Sequence, residues 1–361
     1  MHHASLYTKV ENDRVVCRVC RRRCHIPPGE LGYCGTRLNK GGKLMSLTYS
    51  RVSTMMVSPI ERKPMYHFYP GSIWLSVGSV GCNFRCPGCQ NWEIACATAD
   101  LKGDGFFPEG GERVMGGPKR ETEQVSPELL VEIAKREGAF GISFTYNEPT
   151  LWVEYAERSM AEAKGVGLYT NWVTNGYITI EALDMIGPYL DSFRVDIKGF
   201  SERAYREIAG IFDYRGILEV VLRAKEKWGM HVELVTNVIP GVNDDIDELK
   251  ALARWIVKEM GPDTPWHITR FFPHYKLLDT PETPADLLEN IYKMAVDEGL
   301  HYPYLGNVSH HMGENTYCPG CGETVIRRRE GAFEESCLVG GDRCPECDTV
   351  IFGRFPQARG E

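Results

Sequence analysis

The chain has 361 residues, 43% hydrophobic and 25% charged, with a net charge of −8 at pH 7. This is the composition of a globular protein with enough apolar surface for a large core, and it excludes a disordered chain. No apolar run approaches the roughly 20 residues that span a bilayer, and Met1-His2-His3-Ala4-Ser5-Leu6 starts no signal-peptide core, so a cytoplasmic protein without membrane contact is expected.

Residues 1–64 carry 12 Lys/Arg against 4 Asp/Glu, whereas 65–317 sum to −14 and 318–361 to −2. A basic head on an acidic body either meets a polyanion or docks on its own body. The head holds Cys17, Cys20, Cys24 and Cys34 among turn formers such as Pro27-Pro28-Gly29. It reads as a small, loop-rich, Cys-rich N-terminal module (1–64) that a metal must hold together. Its spacing fits zinc or an auxiliary [4Fe–4S] cluster, and both stay open.

From residue 73 the chain turns regular. The runs 73–79, 141–146, 167–173, 192–198, 231–239 and 266–272 are short, apolar and β-branched, bounded by turn signals, and read as strands. Helical patterns lie between them. Ser126-Pro127-Glu128 is an N-cap followed by Pro at the first helical position, and apolar residues recur at three and four over 244–260 and 284–298. Such alternation predicts an α/β fold, a partial (β/α)6 TIM-like barrel over 65–312, with chemistry at the C-terminal ends of its strands. The Gly-rich, charged stretch 98–125 breaks the pattern and reads as a lid or binding loop.

The tail, 313–361, carries Cys318-Pro319-Gly320-Cys321 and Cys344-Pro345-Glu346-Cys347. Two such knuckles aim four thiolates at one metal, so a C-terminal zinc-ribbon-like module is expected; a rubredoxin-type iron site uses the same ligands. Cys337 is surplus and reads as a plain thiol.

The central motif follows the first predicted strand: Gly81-Cys82-Asn83-Phe84-Arg85-Cys86-Pro87-Gly88-Cys89. Cysteines spaced x3 and x2 in one loop can ligate three irons of a [4Fe–4S] cube and leave one iron open. Cys96, seven positions on, is the candidate that would close the cube, and a zinc site is the alternative.

This motif, its place after a strand and the βα units that follow resemble the radical S-adenosylmethionine (SAM) superfamily over roughly 73–310. Within it the chain resembles the glycyl-radical activating enzymes typified by pyruvate formate-lyase activase. It is more similar still to the AmmeMemoRadiSam system radical SAM enzymes, in the four-cysteine head, in Tyr66-His67-Phe68-Tyr69-Pro70-Gly71, in Gly81-Cys82-Asn83-Phe84, in Thr145-Tyr146-Asn147-Glu148-Pro149-Thr150 and in the Cys-rich tail.

The resemblance implies roles. Cys82, Cys86 and Cys89 would hold the cluster. Glu148, beside Asn147, stands where the family binds the SAM amino group, although Asn147-Glu148-Pro149 is also an ordinary helix start with Asn147 as its N-cap. Thr174 and Asn175 would lie near the SAM ribose and methionine; Asn175-Gly176 also suits a turn. Asp196 and Lys198 match an Asp-x-Lys whose Lys meets the SAM carboxylate. The acidic residue that precedes the Thr in activases is Val173 here, which gives a bound monovalent cation no support. Asn237 ends a strand where the family contacts adenosine, and His274 is a candidate for the pocket with a surface position as its alternative.

The implied reaction is reductive cleavage of SAM to a 5′-deoxyadenosyl radical that takes hydrogen from a macromolecular substrate, a protein residue before RNA, with a donor such as ferredoxin or flavodoxin. RNA modification, suggested by the basic head, is one rival. A ferredoxin-like carrier or metal-held scaffold is the other, and it requires a central cluster closed by four cysteines.

Overall fold

The computed structural model describes residues 1–101, 105–108, 122–309 and 311–356. At its centre are eight strands: β1 (Thr54–Pro59), β2 (Ile73–Gly78), β3 (Gly141–Phe144), β4 (Tyr169–Thr174), β5 (Ser192–Asp196), β6 (His231–Val238), β7 (Trp266–Arg270) and β8 (Pro303–Gly306). They form one sheet in sequential order; β2 to β8 run parallel, and β1 pairs antiparallel with β2 at the edge.

All six expected strands form. The sheet also takes in β1 and β8, which were not read as strands. Both are edge strands bounded by proline, β1 ending at Pro59 and β8 beginning at Pro303. Proline is tolerated at such positions because no inner ladder bond is lost, yet it masks the strand signal.

Alternation gives the sheet two unlike faces. One carries Leu75, Val77, Ile142, Phe144, Trp172, Phe193, Val195, Leu234 and Ile268, all buried in the main hydrophobic cluster. Burying such a side chain contributes about 1.5–3 kcal/mol. The helices that share this cluster include α2 (Pro127–Arg136), α3 (Val153–Gly165), α4 (Ile180–Ile186), α6 (Arg215–Glu226), α7 (Ile246–Trp255) and α8 (Ala285–Asp297). The sequence signal at the start of α2 is realised: the Ser126 hydroxyl accepts from the Leu129 N–H at 3.2 Å, with Pro127 opening the helix. The opposite face is polar, with Ser76, Ser143, Asn171, Arg194, Glu233 and His267.

At the N-terminal end of that polar face sits a closed network. The Glu233 carboxylate accepts from the backbone N–H groups of Tyr66 and His67 at 2.8–2.9 Å, and lies 2.9 Å from His231 Nε2 and 2.6 Å from His267 Nε2. His67 Nδ1 faces the Phe352 carbonyl at 2.5 Å, so Nδ1 carries the proton and Nε2 accepts from the Tyr304 hydroxyl. Arg328, from the antiparallel tail strand Thr324–Arg329, donates to the Tyr66 carbonyl. The motif 66–71 is thus a joint between sheet and tail.

The basic head docks on the chain's own body. Arg18 and Arg23 meet Glu181 at 2.6 and 3.1 Å, Arg21 meets Glu219 at 2.6 Å, and Arg22 donates to the carbonyls of Asn83 and Ala209. Arg37 and Glu154 form a fully buried ion pair at 2.7 Å, and the Ser5 N–H also donates to Glu154. The stretch read as a lid falls partly outside the described residues. Its described parts are paired, Ala97–Ala99 with Phe106–Pro108 and Glu123–Gln124 with Arg51–Val52.

Arg37→Met should lower the unfolding free energy in urea by about 3–5 kcal/mol, because Glu154 is left as an uncompensated buried charge; an unchanged midpoint would rule this pair out as the anchor. A second expectation concerns acid. Burial holds the His67 imidazole neutral, its pKa pushed down to about 3. The unfolded chain binds that proton near pH 6.5, so stability should fall as pH drops from about 6.5 towards 3. His67→Phe should flatten that part of the pH–stability curve.

Candidate functional site

The cysteine loop leaves the C-terminal end of β2, on the same sheet edge as the ends of β3 to β5. Gly81 has φ +86°, and a Cβ there would lie 2.5 Å from Thr36 Cγ2 and 2.8 Å from the Cys34 carbonyl. Only glycine lets the head approach this closely. Asn147 then holds the loop by its backbone, accepting from the Ser79 N–H and donating to the Gly81 carbonyl, both at 3.0 Å. Buried Asn83 accepts from Asn175 Nδ2 at 2.7 Å, and Phe84 packs on Tyr177. Beyond the cysteines, Asn91 Nδ2 donates to the Tyr146 carbonyl at 2.8 Å.

Cys82, Cys86 and Cys89 are free thiols on this loop. Burial pushes all three above the ordinary thiol range, Cys89 to about 12, with Glu148 adding to the rise at Cys82. Deprotonating them therefore calls for compensating positive charge, as a metal centre provides. Cys96 is buried at the end of the short helix α1 (Trp92–Ala95), near enough to Cys86 and Cys89 to act on both electrostatically.

Glu148 is buried and well engaged. One carboxylate oxygen accepts from the Thr150 N–H (3.0 Å), the Thr150 hydroxyl (2.5 Å) and the Thr174 hydroxyl (2.7 Å); the other accepts from the Asn175 N–H at 2.9 Å. It caps the 3-10 turn Pro149–Trp152 that leads into α3, so the residue read as a ligand also performs the helix start, a role the sequence reading gave to Asn147. Burial outweighs these bonds and raises its pKa.

Asp196 lies between two cations, 2.6 Å from Arg194 and 2.7 Å from Lys198. Burial opposes the charged forms of both partners, yet Arg194 and Lys198 hold the Asp196 carboxyl below its usual range, and Asp196 raises Lys198. Lys198 and Cys86 also favour each other's charged form. The predicted residues of three strand ends and the cysteine loop therefore converge. Asn237 donates to Thr269 and to the Arg270 carbonyl. His274 begins a half-buried turn that meets the loop through the Lys276 N–H and the Pro87 carbonyl, 2.8 Å. Residues missed in the sequence are Asn83, Arg194 and Tyr146. Arg194 was detectable, since it shares the strand face of Asp196 and Lys198; the φ of +74° at Tyr146 was not.

The outer clusters differ from each other. Cys318, Cys321, Cys344 and Cys347 have their sulfurs all within 4.8 Å, with opposed pairs at 3.5 and 3.6 Å. A tetrahedral ion with metal–sulfur bonds of about 2.3 Å needs sulfurs about 3.8 Å apart, so this group fits one four-coordinate ion. Cys17, Cys20, Cys24 and Cys34 line one small cavity together with Arg22, Tyr33 and Asn83.

The sequence profile of the radical SAM superfamily matches residues 76–256. An uncharacterized protein of Methanocaldococcus jannaschii is 38% identical over 91% of this chain and 92% of its own length. An isethionate sulfite-lyase activating enzyme of Desulfovibrio desulfuricans is 26% identical over 46% of this chain, and a 4-hydroxyphenylacetate decarboxylase activating enzyme of Clostridioides difficile 22% over 50%. The chain spans 52% and 61% of these two relatives. Among solved structures, a domain of a pyruvate-formate lyase-activating enzyme from Bacteroides vulgatus is similar over 46% of this chain and 99% of its own, at 18% identity and a TM-score of 0.38.

The tail should retain one metal ion per chain through gel filtration. Cys344→Ser should release it and lower the melting temperature; full metal content in that variant would exclude the four-thiol site.

Proposed function

The chain belongs to the radical SAM superfamily, and from that premise we propose that it is an activase-like enzyme that takes a hydrogen atom from a residue of a protein substrate. Cys82, Cys86 and Cys89 would hold a [4Fe–4S] cluster, with SAM at the iron they leave open. The observation that carries the proposal is the convergence of this three-thiol loop with Lys198 and Asn175 at the C-terminal edge of a parallel sheet. The donor set fits the group: three half-buried thiols on one short loop, with a cation beside the second. What the bound pair supplies is one-electron cleavage of the SAM sulfonium and a 5′-deoxyadenosyl radical.

The chain's own residues do the positioning. Lys198, steadied by Asp196, is the partner for the SAM carboxylate. Thr174 and Asn175 take the ribose and methionine side, and His274 borders the pocket. Glu148 fixes Thr174 and Asn175 in place, and Asn147 fixes the cysteine loop, so we assign both as positioning residues. The sheet would be an open, partial barrel flanked by a head module and a zinc- or iron-bearing tail. A ferredoxin or flavodoxin in the cytoplasm would supply the electron. The head quartet would hold zinc or a second cluster.

A protein substrate is favoured over RNA because Arg21, Arg22 and Arg23 are engaged by the body. The named relatives, moreover, are activating enzymes of other enzymes.

The test is anaerobic reconstitution with iron and sulfide, then SAM and dithionite. We expect 5′-deoxyadenosine and methionine in equal amounts, loss of both in Cys82→Ala, Cys86→Ala and Cys89→Ala, and persistence in Cys96→Ala. No 5′-deoxyadenosine from the wild type, or a cluster that needs Cys96, would return the chain to the electron-carrier reading.

A further inference from the structure

We propose that the polar face of the sheet carries a second anion site, built from Lys63, Arg194, Tyr146 and Ser76, that seats a carboxylate of the peptide substrate. This rests on the reading of the chain as an enzyme acting on a protein residue, and it names the chemistry beside the reacting residue.

The parts come from separate elements. Ser76 lies on the polar face of β2, and Arg194 on the same face of β5. Tyr146 follows β3 with φ +74°, a conformation non-glycine residues rarely adopt, and its side chain folds back over β2. A Cβ at Gly78 would lie 3.0 Å from Tyr146 Cβ, so glycine there makes room for the ring. Lys63 follows the turn after β1 and reaches the other side of that ring, with Nζ 5.1 Å from its centroid.

Arg194 Nε is buried with no hydrogen-bond partner among the described residues, and the buried Ser76 and Tyr146 hydroxyls, within reach of each other, form no well-aligned bond. Ser76 itself is fully buried. Leaving such atoms unpaired is unfavourable. All three can donate, so an acceptor among them would satisfy the set.

The charges point the same way. Lys63 is only 8% exposed, yet the charged groups that act on it are Arg194 and Arg62, both cations. Burial first, and then these cations, push its pKa down to about 8. Asp196 is shared by Arg194 and Lys198, and Glu233, the register neighbour of Arg194, is engaged by His231 and His267, so Lys63 is the cation left without a carboxylate among the described residues. A buried cation without a partner is unfavourable, and an anion beside Lys63 relieves it.

The group is reachable from solvent. Side-chain exposure is 12% at Arg194, 27% at Asp196 and 21% at Lys198, next to the cysteine loop. Met56, paired with Ser76 across β1 and β2, is 58% exposed, so the β1 side is open as well. A carboxylate at the end of a side chain or a chain terminus can enter such a recess. A phosphodiester inside an RNA strand would have to bring two nucleosides with it.

The test is calorimetric titration of the anaerobically reconstituted full chain, at saturating SAM, with glutarate and separately with inorganic phosphate. We expect one glutarate per chain, weakened at least about tenfold in Lys63→Met and in Arg194→Met and to a lesser degree in Tyr146→Phe and Ser76→Ala. If a methionine variant does not fold, the Tyr146 and Ser76 variants decide. No glutarate binding, unchanged affinity in the variants, competition by SAM, or binding of phosphate alone would each overturn the site. The 5′-deoxyadenosine assay reports separately on the enzyme: product without glutarate binding refutes the site and spares the enzyme, and binding without product does the reverse.

Discussion

The Glu148 carboxylate accepts four hydrogen bonds from Thr150, Thr174 and Asn175. Through them one buried side chain joins the loop after β3 to the end of β4. Asn175 continues the chain of contacts to Asn83, inside the cysteine loop, and Asn147 ties that loop back to the residue before Glu148. The cysteines sit on a glycine-bearing loop with no regular structure of its own. Their placement is therefore inherited from these amides and hydroxyls, and each is satisfied only when its neighbours are in position.

A second constraint comes from the parallel sheet. Seven strands run the same way, so their C-terminal ends gather at one edge and their closing residues are forced together. One face is given to helices and apolar packing. The polar residues of the other face cannot bury themselves against hydrocarbon and must pair. At the N-terminal end they do so fully, in the Glu233–His231–His267 group. Beside that group, at Arg194 Nε, the pairing is incomplete among the described residues.

Much of this was readable in the residues. Strand runs with turn boundaries located the six inner strands, Ser126-Pro127 located the start of α2, and cysteine spacing located the four-thiol group of the tail, because each signal is local. The edge strands β1 and β8 were hidden by their prolines. Glu148 stood out in its motif, but its saturation by hydrogen bonds depends on Thr174 and Asn175, more than 25 residues away. The recess around Lys63 draws on four separate segments, and no spacing rule joins them. The dual meaning of the basic head was resolved by Glu181 and Glu219, partners that a charge count cannot identify.

The way the head is anchored also bears on how the chain is made. Its fastenings reach forward by 149 residues from Ser5 to Glu154, and by 198 from Arg21 to Glu219. A nascent chain leaving the ribosome exposes its first four thiols and its arginines long before either acceptor exists. Ring closures of that span are entropically slow to meet. This head portion therefore waits, unshielded, until the 198 residues up to Glu219 have emerged, and loading of its cysteines competes with oxidation throughout that interval.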